Sequence, residues 1–138
     1  KIFKLIGISN ENIIGSTQIQ LLQRKNSDLI NGDITIKNCI VKNSSTMQNL
    51  MTLLNLSQNN NVIGFSKIFG DFSFNTNSKI ISLQNIQSKG PLLNIISIGT
   101  LNLDDKTINL KGKVTTNAKK QSKYTLQGSI DYPILDIF

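Results

Sequence analysis

Between Ile63 and Lys89 apolar and polar side chains alternate in two runs that meet at Asn75-Thr76-Asn77-Ser78. In the first run Ile68, Gly70, Phe72 and Phe74 fall on one face, with Lys67, Asp71, Ser73 and Asn75 on the other. This period of two is that of a strand wet on one side. Asn and Ser tolerate left-handed backbone or bond to it locally, and Ile81 and Leu83 then restart the alternation, so the stretch predicts a β-hairpin.

The rest of the chain repeats the theme. Lys1 to Ile14 carries Ile2, Leu5 and Ile6 before the polar Ser9-Asn10-Glu11-Asn12, and fits a short strand or the end of a helix. Ser16 to Arg24 predicts a strand from Thr17, Ile19 and Leu21, Lys25 to Asp28 a turn, and Ile34, Ile36 and Ile40 a further strand beginning at the turn dipeptide Asn31-Gly32. Asn38 stands where strict alternation calls for an apolar side chain, which predicts a bulge. Leu92 to Leu103 is apolar on both faces and reads as a strand covered on both sides; Gly90-Pro91 turns the chain before it and Asp104-Asp105-Lys106 after it. Ile108, Leu110, Gly112 and Val114 alternate again, Thr115 to Ser122 reads as a polar connection, and Leu126, Gly128 and Ile130 share a face in the strand Tyr124 to Ile130, before Pro133 and Ile134 to Phe138.

One helix is predicted, from Thr46 to Leu56. Ser45 with Gln48 fits a capping box, Met47, Leu50, Met51 and Leu54 form a stripe at i, i+3, i+4 and i+7, and Asn59-Asn60-Asn61 ends it. At about 16 Å it is too short to stand alone, so its stripe is expected to lie on the sheet, over Leu92 to Leu103. Eight or nine strands with turns too short for parallel crossovers predict a mainly β, antiparallel meander in a single domain over residues 1–138. A chain that opens on Lys1 is expected to be a piece of a longer protein.

Composition narrows the chemistry more than the fold. Histidine and tryptophan are absent, which removes the usual general base and every triad built on it. The eight carboxylates sit mostly in turns or on wet faces, Cys39 is alone, and the glycines lie singly in strands or turns, so neither a metal cluster nor a phosphate-cradling loop is expected. The chain predicts no enzyme and no cofactor. Asn43-Ser44-Ser45 and Asn55-Leu56-Ser57 match the glycosylation pattern at the frequency that so asparagine-rich a chain produces by chance.

The net charge of +7 is carried by lysines scattered among polar residues, the nearest to a cluster being Lys111, Lys113, Lys119, Lys120 and Lys123. The aromatics are not interleaved with them, so nucleic acid is not the expected partner; solubilising lysines on strand faces are the first reading and phospholipid headgroups the second. No apolar run reaches the roughly 20 residues of a membrane-spanning helix, and a membrane anchor is expected outside this chain.

Several segments in order resemble the C-terminal region of the AsmA-like proteins of the bacterial envelope, over roughly Ser16 to Pro133. They are Gly32-Asp33-Ile34-Thr35-Ile36 followed by the leucine-rich helix, Ile63-Gly64-Phe65-Ser66-Lys67-Ile68-Phe69-Gly70-Asp71-Phe72, Ser88-Lys89-Gly90-Pro91, Gly99-Thr100-Leu101-Asn102-Leu103 and Gly128-Ser129-Ile130-Asp131-Tyr132-Pro133. The resemblance implies a periplasmic protein tethered to the inner membrane, its sheet curved into an apolar groove with the short helix packed on the apolar face. It implies a non-enzymatic role in moving phospholipid toward the outer membrane and in the integrity of that membrane. Relatives carry a longer apolar segment where this chain has Thr115 to Ser122.

The groove or helix-facing positions are then Met47, Leu50, Met51, Leu54, Phe72, Phe74, Ile81, Leu83, Leu101, Leu103, Ile108 and Leu110. Such a groove would gain about 0.8 kcal/mol per buried methylene and needs no fixed polar site. The same alternation serves an ordinary core, and a structural module that binds an envelope protein by strand addition at a sheet edge fits the pattern too.

Overall fold

The computed structural model describes residues 13–56 and 62–138. Eight antiparallel strands form a single open, curled sheet whose spatial order is the chain order. They are β1 (Ile13–Gln23), β2 (Leu29–Lys42), β3 (Val62–Asn75), β4 (Ile80–Lys89), β5 (Leu93–Asn102), β6 (Thr107–Thr116), β7 (Gln121–Ser129) and β8 (Pro133–Ile137). Among the described residues one helix, α1 (Ser45–Leu53), leaves the end of β2 and contacts β8. The predicted class, mainly β with one short helix, is the observed one. The segments read at Lys1 to Asn12 and Asn59 to Asn61 lie outside the described residues.

The turns explain the meander. Asn75 Oδ1 accepts from the backbone N–H groups of Asn77 and Ser78, and Asn102 Oδ1 accepts from that of Asp105. Each of these turns ends on a lysine in the left-handed region, Lys79 at φ 60° and Lys106 at φ 54°. Asn therefore nucleates both turns, and lysine rather than asparagine adopts the strained conformation.

Two bulges set which side chains face inward. β2 has one residue more than β1 opposite Gly15, where Asn38 has φ 53°, and β4 bulges at Asn85, φ 56°. The predicted irregularity at Asn38 is present, but it reverses the phase of the strand. Ile36 and Cys39 are both buried, whereas Ile40, expected on the face of Ile34 and Ile36, is exposed on the other side.

Four further boundaries differ from the pattern. Asn31-Gly32 lies inside β2 and not in a turn, because Lys25 to Asp28 already reverses the chain. Thr115, Thr116, Gln121 and Ser122 belong to β6 and β7, which leaves only Asn117 to Lys120 as the connection. The helix N-cap is Ser44, not Ser45: its hydroxyl accepts from the Met47 N–H. The helix ends at Leu53, because Asn55, at φ 55°, closes a left-handed cap in which the Leu56 N–H bonds the Met51 carbonyl and the Asn55 N–H that of Thr52.

Leu50 and Met51 pack with Ile36, Cys39, Ile63, Phe65, Leu93 and Val114 in the main core, at the helix-bearing end of the sheet. Phe72, Ile81 and Leu101 form a second cluster toward the opposite end. The helix covers the Leu93 end of β5, but the outer face of that strand is bare: Ile96 and Ile98 are 43% and 48% exposed. β5 is thus covered on one face only. Its double-sided apolarity reflects outward isoleucines on the solvent side.

Candidate functional site: an apolar chamber under the helix

The inward positions of β5, β6 and β7 stack in register. Leu101 pairs with Ile108, Ile95 with Val114, Leu110 with Leu126, and Ser97 with Gly112, which pairs in turn with Tyr124. Gly112 matters because a Cβ there would meet the Ile96 carbonyl, and the Tyr124 ring edge at 3.0 Å. The bare backbone lets the phenol lie across β6, where its hydroxyl donates to Ser97 Oγ. Tyr124 is buried, and desolvation pushes its pKa up.

Above this floor lies a chamber of about 440 Å³. Met47 and Leu50 of α1 form its roof, Ile95, Leu110 and Val114 its floor, and Leu126 and Leu135 its far wall. This volume falls in the range of about 300–1,000 Å³ typical of small-molecule sites, and as in those sites apolar groups dominate the lining. The polar groups are few: Ser88, the Ser97–Tyr124 pair, the first residues around the N-cap of α1, and Asp131 at the start of the turn into β8. Every fully buried side-chain nitrogen and oxygen among the described residues has a hydrogen-bond partner. Among the described residues no group of His, Cys, Asp or Glu side chains could hold a metal ion, and no helix is long and apolar enough to cross a membrane.

The twelve positions singled out from the pattern all lie buried or half-buried, and they divide between chamber and core. Met47, Leu50, Leu101, Ile108 and Leu110 line the chamber. Met51 and Leu54 pack beneath the helix in the main core. Phe72, Phe74, Ile81, Leu83 and Leu103 fill the second cluster. Ile95, Val114, Tyr124, Leu126 and Leu135 were missed as wall residues. Val114 and Leu126 continue alternations already visible at Leu110 and Ile130, so their signal was present; Leu135 needed the curl that brings β8 to the helix.

Toward β1 the inner face is left uncovered. Gly32 has no side chain, and Phe72 and Leu21 close over it, yet Leu21 remains 64% exposed and Ile19 is also open. Cys39, a free thiol, is buried in the core, and desolvation raises its pKa, the setting of an inert rather than a nucleophilic cysteine.

Fold and site together define, among the described residues, a curled, open β-meander that forms a partly open apolar chamber with α1. No protein-family model, curated protein or solved structure matches the chain.

Proposed function

We propose that this chain is part of an apolar β-groove that shelters phospholipid acyl chains in the bacterial envelope, without catalysis and without a cofactor. The observation that carries the reading is the chamber: about 440 Å³ bounded mainly by aliphatic side chains, with no fully buried side-chain polar atom left unsatisfied among the described residues. An acyl tail asks for nothing more, since its gain of about 0.8 kcal/mol per buried methylene is non-directional. The inner face continues past the chamber to the open Ile19 and Leu21, where a longer tail finds further apolar surface. The order of the short motifs from Gly32 to Pro133 supports the AsmA-like assignment, and with it a periplasmic location, an inner-membrane tether outside this chain and a part in outer-membrane integrity.

The test is native mass spectrometry with lipid extraction on the chain purified from bacteria in mild buffer. The expected result is a co-purifying acyl lipid that is lost in Leu110→Asp/Leu126→Asp, with the β circular dichroism kept. A filling variant, Leu110→Trp, should lose it as well. A wild-type chain that is lipid-free and takes up neither fatty acid nor phospholipid in titration would make the chamber an unfilled core.

A second reading rests on a different observation. Among the described residues the 11-residue β1 has a strand neighbour on one side only, an edge that an extended segment of an envelope protein could join.

A further inference from the structure

Scattered in sequence, the lysines are gathered by the sheet register onto its outer face. Lys37 of β2 pairs directly with Lys67 of β3, which pairs directly with Lys89 of β4. Two strands further on, Lys113 of β6 pairs with Lys123 of β7, and Lys111 stands two residues from Lys113 on the same side. All six are exposed. Like charges placed directly opposite each other across a ladder destabilise the pair, and this face holds three such juxtapositions. The carboxylates on the same face do not answer them. Asp33 and Asp71 pair with each other lower on β2 and β3, and Asp136 stands opposite Thr125.

Between the two lysine groups lies apolar surface. Ile96 pairs with Lys113 and Ile98 with Lys111, both isoleucines being exposed. Phe138, 70% exposed, lies outside this strip, on the β8 side of Lys123, whose backbone it bonds. Phe69 is covered by ammonium groups, with Lys67 Nζ at 4.6 Å and Lys89 Nζ at 5.3 Å from its ring centre.

From this arrangement we propose that the outer face docks on an anionic phospholipid surface. The lysine rows would sit among the headgroup phosphates, which relieves their mutual repulsion, while Ile96 and Ile98 enter the interface between them and Phe138 enters it beyond Lys123. A membrane fits better than a nucleic acid. The exposed apolar groups at the centre are mostly aliphatic and offer no stacking platform, and the one aromatic among the lysines already has its face occupied by cations. The inference is independent of the chamber, which opens on the other side of the sheet and which none of the six lysines lines.

The experiment is flotation of the purified chain with vesicles of phosphatidylcholine alone and of equal parts phosphatidylcholine and phosphatidylglycerol. Binding is expected to the anionic vesicles only, and to weaken as salt rises from about 0.01 M to about 1 M, where the screening length falls from about 30 Å to about 3 Å. At about fivefold per lysine, Lys111→Gln/Lys113→Gln/Lys123→Gln should bind on the order of 100-fold more weakly, and the matching arginine variant should bind as well as the wild type. Ile96→Ser/Ile98→Ser should weaken the binding that survives moderate salt. Leu110→Asp/Leu126→Asp, which empties the chamber, should bind vesicles like the wild type, so the failure of one reading is separable from that of the other. Equal binding to neutral vesicles, an unaffected glutamine variant, or tighter binding to a labelled single-stranded oligonucleotide at matched phosphate concentration would each overturn the proposal.

Discussion

Tyr124 and Ser97 sit two strands apart and touch because the residue between them in the register is Gly112. One glycine thus allows the floor of the chamber to be spanned by a phenol, and couples β7 to β5 through side chains as well as through β6. A Cβ at position 112 would collide with backbone, the Ile96 carbonyl, which cannot rotate away. Gly112→Ala should therefore cost about 1–3 kcal/mol, visible as a lower urea midpoint with the slope unchanged. A midpoint within error of the wild type would remove this account of the floor.

The same tyrosine makes stability depend on alkaline pH. Its folded pKa is raised above the ordinary value near 10, so the folded state favours the protonated phenol. The contribution is complete below pH 10 and is lost as pH rises through the folded value. Stability of the wild type is expected to fall more steeply above pH 10 than that of Tyr124→Phe. The phenylalanine variant should be about 1 kcal/mol less stable at neutral pH for want of one hydrogen bond. Parallel pH profiles of the two proteins would contradict the assignment.

Ser44 holds the first turn of the helix that roofs the chamber, through its bond to the Met47 N–H. Loss of the cap in Ser44→Ala should destabilise the fold by about 1 kcal/mol, whereas Ser45→Ala, one position into the helix, should be nearly silent. Denaturation of the two variants side by side distinguishes the residues; the reverse order would restore Ser45 as the cap.

Cys39 reports on the core beneath the helix. Its thiol is buried and its pKa raised, so a thiol reagent should label the native chain slowly, at a rate that rises with denaturant in step with unfolding. Rapid stoichiometric labelling in plain buffer would show that this end of the sheet opens on its own.

How far the sequence announced this structure depends on the strand. In β3 and β6 alternation is uninterrupted from Ile68 to Phe74 and from Ile108 to Val114, and a period of two predicts the face of each residue. At Asn38 and Asn85 one extra residue reverses the phase, so Cys39 goes inside and Ile40 outside, against the pattern before the bulge. The helix was visible in its stripe, yet its ends belonged to Ser44 and Asn55, where a cap and a left-handed residue decide locally. Ile96 and Ile98 read as buried because apolarity does not reveal which side of a sheet has a covering layer. Five of the twelve expected groove residues line the chamber, since alternation marks the inner face but not the curl that separates a cavity from filled core. The lysine rows needed the register, which joins Lys37, Lys67 and Lys89 from three distant parts of the chain.

Strand order equal to chain order has a kinetic meaning. Every ladder in this sheet joins consecutive strands, and the hairpin connections are short apart from the one that carries the helix. Loop closure thus costs little at each step, and the sheet can grow hairpin by hairpin as the chain emerges from the ribosome. The contact of α1 with β8 is the exception, a closure that cannot form until β8 is in place. A chain made only as far as β7 therefore holds an open trough, and gains its lid only once β8 has been made.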